Sequence, residues 1–318
     1  MLKRLSRLNP VTAARRWGRA LASLEKIPEL ETKIEQCMVA YQKDARFAER
    51  VPQFQAKADP RRVRGHVCHS AGIAPLRTDP CPYLVIDDLV PEDLYDEMLS
   101  ALPSPVFFKQ EKTREELQVP FGFAPAYSRM VWDFFFSNAI ENGLVPAVTD
   151  RFRPSLDALV ARYWPRLRTW EASGLKLHVS NSRLLLRRPG YVIKPHRDPR
   201  WHFVTCLIYL RKRDAGEAYG TQLYRLRQER EPSHNSPFWF EFDECDLVAD
   251  IPAARNSALV FFNSAGAHGA SIPADAPGAL ERYVYQVQFG PDKTTRQELA
   301  RALAPEDRAG WVTKYAGY

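Results

Sequence analysis

From residue 174 onward the chain is a succession of short runs rich in β-branched and aromatic residues: KLHVS, RLLLRR, HFVTCLIYL, TQLYRLR, SALVFFN and RYVYQVQF. Turn signals separate them, among them Pro189-Gly190, Asp214-Ala215-Gly216, Ala265-Gly266 and Pro277-Gly278. Many short strands with this punctuation specify a sandwich or a barrel, and a jelly roll is one such solution. No internal repeat is present.

The first half reads differently. Leu2, Leu5, Leu8, Trp17, Leu21, Leu24, Leu30, Ile34, Cys37 and Tyr41 recur at helical spacing. They predict an amphipathic arm over residues 1–50, kinked near Pro10 and Pro28. Residues 1–20 hold six Lys and Arg and no acid. Over residues 1–65 there are 15 Lys and Arg against 7 Asp and Glu, a balance of +8, which leaves the remainder at −1 of the chain's +7. The basicity therefore belongs to the arm, and a nucleic-acid partner is not expected of the body. Three roles are open for the arm: docking on the body, pairing in a homo-oligomer, or peripheral contact with an anionic membrane. An organelle transit peptide has a similar composition. Residues 51–80, with four prolines and four arginines, read as a linker. PYLVID then reads as a strand, followed by a helix from near Pro91 with an acidic first turn. Residues 142–170 read as mostly helical, interrupted at Pro154 and Pro165. No apolar run reaches membrane-spanning length. The five cysteines form no CxxC pair, so neither a disulfide framework nor a thiolate zinc site is expected, and a cytoplasmic setting is the default.

The chemistry concentrates in GYVIKPHRDPRWHF, residues 190–203. Pro195 and Pro199 each push the preceding residue into an extended conformation. Residues two apart on an extended chain point to one side, so His196 and Asp198 project together. An imidazole and a carboxylate make two-thirds of the facial triad that holds non-haem Fe(II). With seven histidines and 38 acids, about one such pair arises by chance. The companions raise its weight. His268, in SALVFFNSAGAHGAS, follows an apolar strand and a small-residue turn, a placement suited to a second imidazole. Arg282 opens the strand RYVYQVQF, and a guanidinium inside an apolar barrel needs an anionic partner such as a dicarboxylate.

His196-x-Asp198, His268 and Arg282, in that order on such strands, resemble the Fe(II)/2-oxoglutarate-dependent oxygenases. PYLVIDDLVPEDLYDEMLSALP, LIYLRKRDAGEAYGTQLYRLR and ALVFFNSAGAHGAS are similar to the bacterial, prolyl-hydroxylase-like branch. The resemblance spans about residues 80–290. It implies a double-stranded β-helix core over 81–318, mainly β with flanking helices and the N-terminal helical arm outside it. It implies Fe(II) held by His196, Asp198 and His268. It implies 2-oxoglutarate and O2 as co-substrates, with the far carboxylate on Arg282. The related halogenases replace the carboxylate ligand with a small residue, so Asp198 favours hydroxylation.

Further candidates are weaker. Gln286 shares the face of Arg282 on the last strand and is expected near the co-substrate, or bonded to backbone. Thr205 and Tyr209, on one face of HFVTCLIYL, are expected to bond the 2-oxoglutarate carboxylate, or simply to pack. Tyr191 is placed at the pocket mouth. HVCH, at His66, Cys68 and His69, lacks further ligands. His202 reads as a hydrogen-bonded strand histidine. Asp243, Glu244 and Asp246 read as a solvated loop. Two alternatives remain: a cupin-type metal enzyme in which Arg282 is incidental, and a non-catalytic jelly roll that binds carbohydrate or a partner. The near-neutral body favours a small-molecule or carrier-bound substrate, with glycan precursors and peptidyl residues also within the family's range.

Overall fold

The computed structural model describes residues 49–111, 114–118, 125–212 and 219–311, together with positions 28, 31, 32, 34–36, 38 and 39. The chain divides into two compact units, Met1–Glu49 and Arg50–Tyr318. In the first, the described positions from 28 to 39 are helical, and the Thr32 hydroxyl donates to the Pro28 carbonyl at 3.0 Å. The remainder of the expected arm lies outside the described residues.

The second unit opens with two helices, where the sequence suggested a linker. They are α1 (Val51–Lys57) and α2 (Pro60–Ile73). Pro60 stands at the first helical position, where its missing N–H costs nothing. Asp59 caps it, accepting from the amides of Arg61 and Arg62. Val63, Val67 and Ala71 recur every fourth residue and are fully buried. A Cβ added at Gly143 would come within 3.2 Å of Val67, so the helix packs closely there. One of the four prolines of this segment starts a core helix.

Strand β1 (Tyr83–Ile86) and helix α3 (Glu92–Ser100) follow as expected, with Glu92 and Asp93 in the first turn of the helix. Two short strands, β2 (Lys109–Glu111) and β3 (Arg114–Gln118), precede a helical layer. That layer comprises α4 (Ala126–Phe135), running into a π-helical stretch at Phe136–Leu144, then α5 (Val145–Arg151), α6 (Arg153–Tyr163) and α7 (Trp170–Ser173).

Nine strands follow: β4 (His178–Arg187), β5 (Val192–Arg197), β6 (Val204–Leu210), β7 (Thr221–Leu226), β8 (Phe238–Trp239), β9 (Cys245–Ile251), β10 (Ser257–Phe262), β11 (Ala267–Ser271) and β12 (Arg282–Gly290). They form two antiparallel sheets. One has the order β1-β10-β6-β12-β4-β3-β2 and the other β8-β5-β11-β7-β9. Leu207, Tyr209, Leu259 and Val284 of the first sheet pack with Leu223 and Ile251 of the second in one apolar cluster. The other face of β12 meets the helices: the Tyr285 ring lies 5.4 Å from Trp132 and 5.8 Å from Phe135. β12 is therefore buried along nearly its whole length, since both faces are covered.

Several readings shift. KLHVS and RLLLRR are parts of the single strand β4. The acidic run around Asp243 does not remain a loop; it leads into β9, an edge strand that carries Asp246 on its exposed side. His202 lies in the turn before β6 rather than in a strand, and its Nδ1 is 2.8 Å from the Ser180 hydroxyl.

Candidate metal centre

The Pro-fenced motif does not break the sheet. β5 runs through Pro195 to Arg197, so His196 is a strand residue. His268 lies in β11, directly opposite His196 in the antiparallel ladder. His268 follows the turn after β10 and lies on the next strand, as expected, and cross-strand pairing brings the two imidazoles together. Their ring centroids are 4.1 Å apart. Asp198 follows β5 and turns back toward both rings. Asp198 Oδ1 is 4.0 Å from His196 Nε2, and Oδ2 is 4.0 Å from His268 Nε2. One donor atom from each residue lies within 4.8 Å of the others, and all three side chains are buried.

The surroundings orient these donors. His196 Nδ1 donates to the Lys194 carbonyl at 2.9 Å, which leaves Nε2 as the lone-pair nitrogen. Trp239 stacks on the His196 ring at 4.7 Å, and Phe261 lies 4.6 Å from the His268 ring. Thr205 donates its hydroxyl to Asp198 Oδ2 at 2.5 Å. Asn263 holds the turn itself. Its Nδ2 donates to the carbonyls of Asp198 at 2.8 Å and His202 at 3.2 Å. Asn263 went unnoticed in the sequence, where it is only an Asn at a strand end; a side chain that caps a distant turn leaves no local signal.

Burial alone would raise the Asp198 carboxyl, but the adjacent His268 and His196 and the Thr205 hydroxyl outweigh it and hold it at about 2. Burial, then the neighbouring His196, push His268 down to about 3. The centre at neutral pH is one carboxylate with a neutral His268, a donor set that takes a cation without first losing protons from these two groups.

Two imidazoles and one carboxylate fit Fe(II) by chemistry. With metal–ligand bonds of about 2.1 Å, the donors of one coordination face stand about 3 Å apart. The 4.0 Å separations here are about an ångström wider.

The triad opens into a cleft of about 680 Å³, counting its mouth, whose walls include Arg183, Arg187, Tyr191, Arg282 and Gln286. Arg282 donates from Nη2 to the Gly220 carbonyl at 2.7 Å and to Thr221 Oγ1 at 3.3 Å. Its buried Nε has no hydrogen-bond partner. Burial lowers its proton affinity, Tyr209 and Tyr191 nearby raise it, and Arg187 lowers it further. Of the remaining candidates, Gln286 lines the cleft and accepts from Arg183 Nε at 2.6 Å. Tyr191 also lines it. Thr205 donates to Asp198 and is not among the cleft's lining residues. Tyr209 is buried, donates to Thr221 Oγ1 at 2.9 Å, and has the Arg282 guanidinium 5.8 Å from its ring centroid. No second cluster of potential metal ligands occurs among the described residues, so HVCH forms none.

No family model matches the chain, and no curated protein does. Among solved structures the chain is similar to a prolyl-4-hydroxylase from Pseudomonas putida, at 14% identity and a TM-score of 0.39, over 71% of this chain and 97% of that one. It is similar to a prolyl 4-hydroxylase from Phytophthora capsici, at 20% identity and a TM-score of 0.39, over 79% and 68%. It is also similar to an oxidoreductase of the 2OG-Fe(II) oxygenase family from Burkholderia pseudomallei, at 10% identity and a TM-score of 0.39, over 65% and 84%. These three structures are two prolyl hydroxylases and one member of the 2OG-Fe(II) oxygenase family. No helix among the described residues is long and apolar enough to cross a membrane.

Proposed function

We propose that the chain is a non-haem Fe(II)/2-oxoglutarate-dependent dioxygenase, built on a double-stranded β-helix, that hydroxylates an unactivated C–H bond. The single observation that carries this reading is the buried convergence of His196, Asp198 and His268 at the foot of a cleft that also holds Arg282. Iron bound there would supply the oxidation: substrate C–H, 2-oxoglutarate and O2 become substrate C–OH, succinate and CO2.

The chain's residues have distinct tasks in that reaction. His196 Nε2, His268 Nε2 and one oxygen of Asp198 would hold the metal. Thr205 keeps Asp198 Oδ2 engaged, which favours ligation through Oδ1. Arg282 receives the far carboxylate of 2-oxoglutarate, and its bonds to Gly220 and Thr221 fix the guanidinium for that purpose. Trp239 and Phe261 cover the two imidazoles and exclude water from them. The substrate is a small molecule, a carrier-bound or glycan precursor, or a peptidyl residue entering at the cleft mouth.

Purified protein loaded with Fe(II) under nitrogen is expected to develop a metal-to-ligand charge-transfer band on addition of 2-oxoglutarate, and to release succinate in air. Arg282→Ala is expected to abolish the co-substrate response and to spare metal binding. Absence of both band and succinate overturns the reading. Metal binding with no response to 2-oxoglutarate would instead fit a cupin-type metal enzyme.

A further inference from the structure

A second cavity lies beside the metal centre. It measures about 920 Å³, counting its mouth, and none of its described lining residues lines the metal cleft. His196 and Asp198 line the cleft, while Arg197 between them lines the cavity, as alternation along an extended chain places them. Leu159 of α6, Phe203, Phe262 and Trp311 give the cavity apolar walls, three of them aromatic rings. Its polar groups are unevenly matched. The Arg200 guanidinium lies 5.4 Å from the Tyr163 ring centroid and 5.3 Å from that of Trp311. Its Nη1 donates to the Tyr163 hydroxyl at 2.8 Å, and its Nη2 pairs with Glu231. Arg200 Nε is nonetheless buried with no hydrogen-bond partner, and so is Nε1 of Trp311, a residue 2% exposed. Both atoms are donors, and a buried donor without an acceptor is costly enough to be rare. Charge is unmatched as well. Glu231 also accepts from Arg162 at 2.6 Å, and Arg197 pairs with Glu229. The three lining arginines, Arg162, Arg197 and Arg200, thus share two carboxylates. An acceptor that carries negative charge answers both the idle donors and the surplus charge.

We propose that this cavity is a second ligand site, and that its ligand is a small molecule with a flat apolar body and one carboxylate. The carboxylate would take the N–H groups of Arg200 Nε and Trp311 Nε1, and the body would lie against Leu159, Phe203 and Phe262. Arg200 is fixed in advance by Tyr163, Trp311 and Glu231, so little ordering is lost on binding. The site makes no use of the metal, and it stands whether or not the oxygenase reading holds.

2-Naphthoate is the probe, titrated calorimetrically into the full chain. We expect a single saturable site. 2-Naphthamide keeps the body without the charge, and acetate keeps the charge without the body; each is expected to bind at least about tenfold more weakly. Trp311→Phe keeps an aromatic ring without the N–H and is expected to weaken 2-naphthoate about tenfold. Arg200→Gln is expected to weaken it as much or more. Because both side chains pack into the interior, thermal unfolding is followed for each variant. Ala158→Trp, at an exposed position on the cavity wall, tests the same site by filling it. Arg282→Ala, in the metal cleft, is expected to leave 2-naphthoate affinity within about twofold. Absence of saturable binding overturns the proposal, since water then satisfies the two donors. Binding lost in Arg282→Ala overturns it too, because the probe then sits in the cleft. Equal affinity for 2-naphthoate and 2-naphthamide, or binding indifferent to all three cavity variants, likewise overturns it.

Discussion

Thr205 of β6 donates its hydroxyl hydrogen to Asp198 Oδ2 at 2.5 Å, joining the two sheets at the metal centre. Thr205→Val is expected to leave the fold intact, lower Fe(II) or Co(II) affinity about tenfold, and cost about 1.5–3 kcal/mol of stability. Thr205→Ser should restore most of both. Metal titration by calorimetry checks this, and unchanged affinity in Thr205→Val would sink it.

Asn263 bonds the carbonyls of Asp198 and His202 and so fixes the turn that presents the carboxylate. It is not among the cleft's lining residues. Asn263→Ala is expected to weaken metal affinity by about 10–100-fold. Its midpoint for 2-oxoglutarate, once metal is saturating, should stay near that of the parent. A shift in the co-substrate midpoint alone would contradict this assignment.

Glu97 of α3 is buried and accepts from Lys57 at 2.9 Å, Tyr127 at 2.7 Å and Arg50 at 2.7 Å. Burial opposes its ionisation, but Lys57, Tyr127 and Arg50 together hold its carboxyl below the usual value. A carboxyl lowered on folding contributes stability above its unfolded pKa, and that contribution disappears as pH falls through the folded value. Glu97→Gln is expected to cost about 1–2 kcal/mol at neutral pH, the cations being partly exposed. The difference from the parent should shrink on acidification below about pH 4.5. Urea midpoints across that range provide the measurement; a difference that grows toward acid would refute it.

Burial pushes the Cys81 thiol up to about 12 and raises that of Cys206 as well, whereas Cys68 is exposed. At pH 8 only about one part in ten thousand of Cys81 is thiolate. Native protein treated with iodoacetamide is expected to carry label at Cys68 and none at Cys81 or Cys206, with all three reacting in urea. Peptide mapping reads this directly. Rapid labelling of Cys206 in the native state would show that the interior of β6 opens.

Much of the site was legible because its signals are local. Period-2 geometry put His196 and Asp198 on one side, and an arginine at the start of an apolar strand announced a buried cation. Other parts had no local signal. The Asp59-Pro60 start of α2 was masked by arginines and prolines that also suit a linker. The strand carrying His268 is AHGAS, whose small residues have weak strand preference; Gly269 is required because a Cβ there would come within 2.9 Å of the Ile193 carbonyl. That requirement exists only once β5 lies alongside.

The sequence by itself determined the alternation of strands and turns, and the order in which the histidine, aspartate, histidine and arginine appear. Those follow from backbone sterics and side-chain type, which act over a few residues. Only the tertiary structure decided that His268 stands opposite His196, that Thr205 bonds Asp198, and that Arg187 faces Arg282. These pairings are set by which strands become neighbours, and strand order depends on burying apolar faces across the whole chain rather than on any stretch of it.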